Sequence, residues 1–540
     1  MHRREFLKLT LRGGVTLGLT APLASCGEEV PTFVEASSWN PGEVQHLLPT
    51  ASHSRIRLKV SLRSAQEAPP VLRVADRRAP GRRTDSAGRF FAFDVRDLEA
   101  ATEYEFQLLS RGGDPLCDPW PLRTLPAPDA SPVRFRLLVY TCAGGSDLFR
   151  HPTQGRIFQP LQVRRRLLAR ALALAPDAVV ANGDHVYWDL RSRSGLAMGR
   201  SPQAWWSAGH FDRDAAILGT QNEEVLKAGF GPQIADLYTT LFRSVPVFFL
   251  QDDHDYTEND EASESLRTFP PDRFMLAVAR ATQRLYYPEF FAPPSLARDL
   301  VSTEELSESF GQLRYGRLFE ALLYDCRRHL TLGAPASRAQ FVPGSVERWL
   351  VERTRRSPAR HLVQMPSTPV LWTAGKWGEW YPDVHDEHGE LSITTRKPFW
   401  PVGWREQHDR LLRASSGRRD RIPLWVSGDL HATAIGRIHR TGEHSLEANP
   451  VVSVLCGTPG TAGPGWPSRF RKQRPVPSGS LEAEAWLEPL EENGFTILDF
   501  TSEGVRLQFF RWHPDDGLEV IASLQPFHVR ELPHPGPTGV

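Results

Sequence analysis

Residues 178–187 read Ala-Val-Val-Ala-Asn-Gly-Asp-His-Val-Tyr, and the pattern in this stretch predicts much of the architecture. Its first four residues form a short continuous apolar run, which is typical of a strand covered on both faces of a sheet. Asp184 and Tyr187 follow where the run stops. Because side chains at the carboxyl ends of parallel strands converge on one edge of a sheet, we expect a functional site there.

The same pattern recurs along the chain. Other short apolar runs lie at residues 135–140, 245–250, 362–365, 424–426 and 451–455. Starting within three residues of their ends, three of these runs are followed by metal-binding residue types, namely Cys142, then Asp252, Asp253, His254 and Asp255, then Asp429 and His431. A lone aspartate or histidine after a strand is usually a turn residue or a satisfied polar group, but four such strand ends indicate a shared site.

Helical patterns separate the apolar runs, which indicates an α/β region. Residues 156–175 are rich in Leu, Ala and Arg and predict an amphipathic helix. Towards the end of the chain, residues 495–500 and 505–512 predict an antiparallel hairpin joined at 502–504.

The region before the α/β pattern alternates between apolar and polar residues. The segments 56–62, 91–95 and 104–108 predict half-buried strands. Residues 98–104 resemble the tyrosine corner of fibronectin-type sandwiches. A proline-rich linker follows at 126–132, so we predict a small all-β fibronectin/Ig-like domain at 31–126 and a catalytic domain at 133–530.

The composition is that of a folded globular protein. Its 540 residues are 40% hydrophobic and 24% charged, which allows a large core. The 64 basic residues balance 64 acidic residues, so no global field attracts nucleic acid or an anionic membrane. No apolar run reaches the roughly 20 residues that cross a bilayer. Five cysteines are too few for a disulfide scaffold in a chain of this length.

Residues 1–26 look like an export signal. The pair Arg3-Arg4 followed by Phe and Leu resembles a twin-arginine signal, and Leu-Ala-Ser-Cys26 resembles a lipobox. Cleavage before Cys26 would leave a thiol for acylation and a lipid anchor. Alternatively, a soluble secreted protein is cleaved nearby and Cys26 has no role. In both cases we expect export by the twin-arginine machinery to the periplasm or outer cell surface, and in the first case the lipid anchor contacts the membrane surface.

The strand-end motifs also resemble those of a known enzyme family. The blocks in this chain are Asn-Gly-Asp184 with Tyr187, Asp-Asp253-His254-Asp255, and Gly-Asp429-Leu-His431. They resemble the blocks of the calcineurin-like metallophosphoesterases, most closely those of the PhoD-like alkaline phosphatase/phosphodiesterase family. That family combines an export signal, a small β domain and a catalytic domain, so the resemblance spans nearly the whole chain. It implies a two-sheet metallophosphoesterase sandwich flanked by helices.

The resemblance implies a role for each matching residue. Asp184 should bridge two metal ions about 3.5 to 4 Å apart. His254 should act as the acid near the leaving group, and Arg327 and Asn259 should bind the substrate phosphate. The other metal ligands that it implies are Cys142, Tyr187, Asp253, Asp325, Asp429 and His431. For Cys142 the alternative is a buried core thiol.

The donor types favour two different metals. Thiolate, phenolate, imidazole and carboxylate together suit Fe(III), whereas a mostly carboxylate second site suits Ca(II) or another hard divalent ion. Such a pair lowers the pKa of a bridging water, so that hydroxide attacks phosphorus while a positioned acid protonates the leaving alkoxide.

Three functions fit these observations. The first is an exported phosphatase or phosphodiesterase acting on small phosphate esters, including nucleotides. The second is a phospholipase D-like phosphodiesterase acting on the headgroups of phospholipids. The third is a non-catalytic surface lipoprotein whose β domain binds a partner, and the intact strand-end motifs favour an enzyme over it. No Gly-rich phosphate loop or Gly-x-Ser-x-Gly elbow occurs, which argues against an NTPase and an α/β-hydrolase.

Overall fold

The N-terminal part of the structure consists of two antiparallel sheets. The computed structural model describes residues 39–147, 150–151, 155–187, 209, 211–256, 271–331, 333, 335–373, 402–461 and 474–535. The strands of the N-terminal part are β1 (Val44–Ala51), β2 (Ile56–Leu62), β3 (Val71–Val74), β4 (Arg77–Pro80), β5 (Arg82–Arg83), β6 (Phe90–Val95), β7 (Glu103–Leu109) and β8 (Trp120–Arg123). They pair in the orders β1-β2-β6-β5 and β4-β3-β7-β8. The Tyr104 hydroxyl accepts a hydrogen bond from Glu99 N at 2.8 Å, which closes the expected corner.

Strands and helices alternate in the first half of the α/β region. Its elements are β9 (Arg134–Tyr140), β10 (Arg150–His151), β11 (Gly155–Arg156), α1 (Leu161–Leu172), β12 (Ala178–Asn182), α2 (Gln221–Tyr238), β13 (Val247–Leu250), α3 (Arg273–Tyr286), β14 (Phe290–Phe291), β15 (Leu306–Ser307), β16 (Phe310–Tyr315) and β17 (Phe319–Tyr324). Helix α1 begins later than the predicted residue 156, because Pro160 occupies its N-cap and a proline ring is tolerated only at a helix start.

The second half continues the alternation and then becomes antiparallel. Its elements are α4 (Gly344–Arg356), β18 (His361–Pro366), β19 (Trp372–Thr373), α5 (Val402–Ser416), β20 (Leu424–Ser427), β21 (Thr433–Thr441), β22 (His444–Ser445), β23 (Val451–Cys456), β24 (Val476–Pro477), β25 (Leu481–Leu490), β26 (Asn493–Thr501), β27 (Gly504–Trp512) and β28 (His528–Pro533). Strands β26 and β27 form the predicted hairpin. Within the described ranges, no helix has the length and apolar character needed to cross a bilayer.

Two large sheets organise this region. The six-stranded sheet has the order β13-β12-β9-β26-β27-β28, and its first three strands are parallel. The second sheet has the order β16-β17-β18-β20-β23-β21-β22, with β25 paired to β21. Its strands β17, β18, β20 and β23 are parallel. Parallel strands in both sheets explain the continuous apolar runs of the sequence, since such strands are covered on both faces.

The two sheets pack face to face, and helices cover their outer faces. Leu137 and Val180 of the six-stranded sheet share one apolar core with Ala321, Val363 and Val426 of the second sheet. Helices α1, α2 and α3 pack on the other side of the six-stranded sheet, and α4 and α5 pack on the second sheet. The fold is therefore the predicted two-sheet sandwich flanked by helices and preceded by an all-β region.

Strand β2 is buried on both faces, although its alternating sequence predicts a half-buried strand. The guanidinium of Arg57 and the ammonium of Lys59 each lie 3.1 Å from the Glu289 carboxylate, which follows α3. The polar face of β2 thus packs against the α/β region, and residues Trp39–Val540 form one compact unit. The predicted boundary at 126–133 lies between β8 and β9, where the chain passes from one sheet to another.

Candidate metal centre

The ends of four parallel strands bring most of the predicted ligands together. Cys142 follows β9, Asp184 follows β12, Asp253 follows β13 and Asp429 follows β20. The first three strands are neighbours in the six-stranded sheet, whereas β20 belongs to the second sheet. The site therefore lies where the carboxyl ends of both sets of parallel strands meet, as strand-end convergence predicts.

Two groups of ligand atoms form there, and Asp184 belongs to both. The first group contains Cys142 and His431 with Asp184, and the second contains Asp253 and Asp429 with Asp184. Within each group the ligand atoms lie within 4.8 Å of one another, and every one of these residues is buried. A carboxylate common to two such groups is the arrangement that bridges a pair of metal ions.

The Tyr187 hydroxyl joins the first group. It donates a hydrogen bond to Asp184 Oδ2 at 3.0 Å and lies 3.0 Å from His431 Nε2. Cys142 Sγ lies 3.3 Å from the same carboxylate oxygen. The first group thus presents a thiol, a phenol, an imidazole and a carboxylate to one small volume. The Tyr187 ring also packs against His254, with ring centroids 4.2 Å apart.

Three of the candidate ligands have left-handed backbone conformations. The φ angle is 53° at Cys142, 59° at Asp184 and 64° at Asp429. Such angles are uncommon for residues with a Cβ atom and cost about 1–3 kcal/mol each. Strain of this kind persists only where surrounding contacts impose it, and it clusters at functional sites. Each turn aims its side chain at the common centre.

Asp255 holds the loop that carries Asp184. Its carboxylate accepts hydrogen bonds from the backbone N–H groups of Asp184 and His185 at 2.8 Å each, of Asp252 at 2.9 Å and of Val186 at 3.2 Å. The sequence analysis named Asp255 only among the metal-binding residue types after a strand and as part of a family motif. Its position next to His254 was the available signal, but three of its partners come from a different strand end.

Two further supporting residues were missed from the sequence. Gln233 of α2 accepts a hydrogen bond from Tyr187 N at 2.7 Å and donates one to Tyr187 O at 3.1 Å. Thr141 Oγ1 donates to Asn182 O at 2.6 Å and accepts from Asp429 N at 3.2 Å. The first fixes the tyrosine, and the second ties the ends of β9, β12 and β20 together. No local pattern distinguishes a mid-helix glutamine of this kind.

The cluster concentrates acidic groups in a buried place. Asp184, Asp252 and Asp253 are fully buried, and Asp429 is 4% exposed. Burial, followed by the charge of Asp253, raises the pKa of Asp184 well above its ordinary value. Burial likewise raises the pKa of Cys142. Cations would offset this effect, because they favour deprotonated carboxylates and thiolates, and the donor set therefore fits two metal ions.

Asp325 lies outside both ligand groups. Its Oδ1 accepts hydrogen bonds from the backbone N–H of Arg327 at 2.7 Å and of Arg328 at 3.0 Å, and its Oδ2 accepts one from the Tyr256 hydroxyl. The carboxylate thus caps its own turn and belongs to neither of the two ligand groups. Its role as a metal ligand stays a prediction from the motif.

Arg327 reaches the cluster through carboxylates. Its Nε donates to Asp252 Oδ1 at 2.7 Å and its Nη2 to Asp429 Oδ2 at 3.0 Å. The predicted contact with phosphate stays a prediction. Cys326 and Cys456 are buried and belong to neither ligand group. Asn259, Cys26 and the export signal lie outside the described residues.

Comparison with known proteins gives the family. A sequence profile of PhoD-like phosphatases matches residues 161–509. The chain belongs to the PhoD-like phosphatase family. With the buried ligand groups, this membership makes the protein a metal-dependent phosphatase.

Two solved structures share the fold of this PhoD-like phosphatase. The structure of PhoD is 13% identical, with a TM-score of 0.56 and 87% of each chain covered. The purple acid phosphatase PPD1 from seeds of yellow lupin (Lupinus luteus) is 11% identical, with a TM-score of 0.54, covering 91% of this chain and 74% of that one. No curated protein matches the chain.

Proposed function

We propose that this protein hydrolyses phosphate monoesters and/or diesters at a binuclear metal centre. The observation that carries the proposal is the pair of buried ligand groups that share Asp184. The residues that would hold the metals are Cys142, Asp184, Tyr187 and His431 on one side and Asp184, Asp253 and Asp429 on the other. Metals bound there would activate a water as the nucleophile and offset negative charge on the phosphoryl oxygens.

His254 is the proposed proton donor to the leaving alkoxide. Its ring packs on Tyr187, and its backbone N–H donates to Asp184 Oδ1 at 3.3 Å. The backbone bond holds the main chain of His254 at the shared carboxylate, the ring contact positions the imidazole, and the residue is 3% exposed. Arg327 holds Asp429 through its Nη2, so its guanidinium would stand beside a phosphoryl group bound at the second metal.

We infer Fe(III) for the group that contains Cys142 and Tyr187, and Ca(II) or another hard divalent ion for the carboxylate group. The test is metal analysis with a visible spectrum, because a phenolate bound to Fe(III) gives a charge-transfer band. Iron with calcium, and a band that disappears in Tyr187→Phe, would support the assignment. Colourless protein holding two divalent ions would refute the iron and the phenolate role while leaving two-metal hydrolysis intact.

The reaction is tested with the purified, metal-loaded protein on p-nitrophenyl phosphate and on bis(p-nitrophenyl) phosphate. Asp184→Asn should reduce both rates by at least about a hundredfold and reduce the metal content. The control is Asp420→Asn, which changes an exposed carboxylate paired with Arg418 and should keep both. Further arms with nucleotides and with phosphatidylcholine vesicles separate small esters from lipid headgroups. Protein with two bound metals but no turnover in any arm would overturn the proposal.

We also propose that the protein is exported and anchored by a lipid at Cys26. The support is the Arg3-Arg4 pair and the Leu-Ala-Ser-Cys26 segment. In a cell fractionation experiment, Arg3→Lys with Arg4→Lys should leave the protein in the cytoplasm, and Cys26→Ser should release it from the membrane fraction. Wild-type protein found unprocessed in the cytoplasm would overturn this proposal.

A further inference from the structure

A strongly basic groove of about 830 Å³ lies between helices α4 and α5. Six arginines and two glutamates line it, so its net charge is +4. The arginines are Arg348, Arg355 and Arg356 of α4, Arg410 and Arg413 of α5, and Arg418 just beyond α5. This local excess contrasts with the whole chain, in which 64 basic residues balance 64 acidic ones.

The groove is distinct from the metal centre. Helix α4 ends at Arg356 shortly before β18 begins at His361, and α5 ends at Ser416 shortly before β20 begins at Leu424. The last turns of both helices therefore lie near the amino ends of these parallel strands. The candidate metal ligands follow the carboxyl ends, at the opposite edge of the sheet.

Within the part of the chain that the structure describes, three of the six groove arginines have no carboxylate partner. Three are paired within the protein, namely Arg410 with Glu347, Arg356 with Glu352 at 3.0 Å and Arg418 with Asp420 at 2.7 Å. Arg348, Arg355 and Arg413 are exposed and make no ion pair within the ranges that the structure describes. Their guanidinium groups are available to an anionic ligand.

A buried arginine, Arg421, lies just after the groove residue Arg418 and its partner Asp420 in the chain. Arg421 is 5% exposed and donates to Ser357 O, just after α4, at 3.0 Å. Burial, followed by the neighbouring charge of Arg418, lowers the pKa of Arg421 to about 10. The charge of Arg418 thus adds to the effect of burial at this residue.

Helix termini account for only part of this charge. Arginines in the last turn of a helix stabilise the partial negative charge of its C-terminus, and Arg355, Arg356 and Arg413 occupy such positions. Each terminus carries only about half an elementary charge, so two termini offset about one of the four excess charges. Arg348 and Arg410 lie outside the last turns. Asp420, which pairs with Arg418, offsets another of them, so a surplus of roughly two charges remains for a ligand.

We propose that this groove binds a small phosphate-bearing polyanion of the oligophosphate type. Guanidinium groups pair with phosphate oxygens in a bidentate geometry, and several of them in one groove favour a ligand with several phosphates. The volume falls in the range of about 300–1,000 Å³ that is usual for small-molecule sites. A chain of phosphates can enter a concave groove, whereas a flat lipid surface contacts only its rim. The inference does not depend on the proposed hydrolytic function.

The test is calorimetric titration of the full metal-loaded protein with inorganic tripolyphosphate. The groove variant is Arg348→Gln, Arg355→Gln and Arg413→Gln. The matched control removes three exposed arginines elsewhere, Arg78, Arg111 and Arg298, by the same change. The metal centre is common to all three proteins, so any heat from it cancels in the comparison. A melting curve checks folding, and Arg348→Gln with Arg413→Gln replaces the groove variant if the triple change unfolds.

Binding to wild type that the groove variant weakens about tenfold to a hundredfold, and the control leaves within about twofold, would support the proposal. Equal weakening in the control would overturn it, because the effect would then reflect overall charge. The proposal would also be overturned if wild type and the groove variant gave the same titration curve with tripolyphosphate. A third outcome against the proposal is binding to phosphatidylglycerol vesicles that depends on the groove arginines, without binding of tripolyphosphate. That result would assign the groove to a membrane surface.

Discussion

Replacing Asp255 by asparagine should release the loop that carries Asp184 with almost no change in side-chain shape. The two carboxylate oxygens divide four backbone donors between them. Oδ1 accepts from His185 and Val186, and Oδ2 accepts from Asp184 and Asp252. Asparagine keeps one acceptor oxygen and turns an NH₂ group towards the other two donors, which then have no acceptor.

The magnitude follows from those two lost bonds. A hydrogen bond to a charged group contributes about 1.5–3 kcal/mol, so Asp255→Asn should lower the free energy of unfolding by about 3–6 kcal/mol. Asp255 is 1% exposed, so water cannot take over the lost acceptor. Burial raises the pKa of Asp255, and the charge of His185 and the backbone donors oppose this only in part. Because the cost of burying the charged carboxylate offsets part of what its hydrogen bonds contribute, we expect a loss at the lower end of this range, about 3 kcal/mol.

The assay is urea denaturation together with metal analysis on the same preparation. Asp85→Asn is the matched control, because Asp85 accepts from the backbone N–H groups of Gly88, Arg89 and Phe90 within the all-β region. Both variants should lose stability, but only Asp255→Asn should also lose bound metal. An Asp255→Asn protein with wild-type stability and full metal content would refute the reasoning.

Three further predictions concern packing, pH and metal removal. Gly428→Ala would place a Cβ 2.3 Å from Thr141 Oγ1 and 2.4 Å from a backbone oxygen, so it should reduce the free energy of unfolding in urea by about 2–3 kcal/mol. The control is Gly344→Ala, where the nearest atom would be 3.7 Å from the added Cβ, and it should change this free energy by less than about 1 kcal/mol. Burial lowers the pKa of His408 to about 3, so below about pH 6.5 the unfolded chain binds a proton that the folded protein does not. The free energy of unfolding should therefore fall from pH 7 to pH 5 by about 2 kcal/mol more in wild type than in His408→Gln. Chelation of the metals at pH 7 should lower the urea midpoint, and the difference in midpoint between loaded and chelated protein should shrink at pH 5. Burial raises the pKa of Asp184, so at pH 5 the folded metal-free protein keeps a proton that the unfolded chain releases, and this stabilises the metal-free protein. Equal midpoints for the two glycine variants, equal pH slopes for wild type and His408→Gln, or a chelation effect that grows at pH 5 would contradict the respective prediction.

Much of the candidate site was predictable because its ligands follow a local rule. Cys142, Asp184, Asp253 and Asp429 each stand just after a continuous apolar run, and that pattern is read within about ten residues of chain. Asp325 was inferred from the family motif and not from this rule, and its carboxylate bonds the backbone N–H groups of its own turn. Motif and spacing alone cannot distinguish a carboxylate that faces the cluster from one that caps a turn.

The supporting contacts could not be predicted, because their partners are distant in the chain. Gln233 holds Tyr187 from the middle of a helix, and Thr141 joins the ends of three strands. Hydrogen-bond partners of this kind are set by which sheet edges meet, and periodicity says nothing about that. The same holds for β2, whose polar residues are buried only because the α/β region covers them.

The basic groove shows the same division between local pattern and assembled fold. The arginines of α4 and α5 are visible in the sequence, where they look like ordinary exposed helix residues. Packing of the two helices side by side on one sheet places their charges around a single groove. Short-range apolar periodicity thus specified the strands, the α/β class and the position of each candidate ligand after its strand. Strand order within each sheet and the packing of the two sheets decided which of those residues meet, because electrostatic and hydrogen-bond interactions act through space and not along the chain.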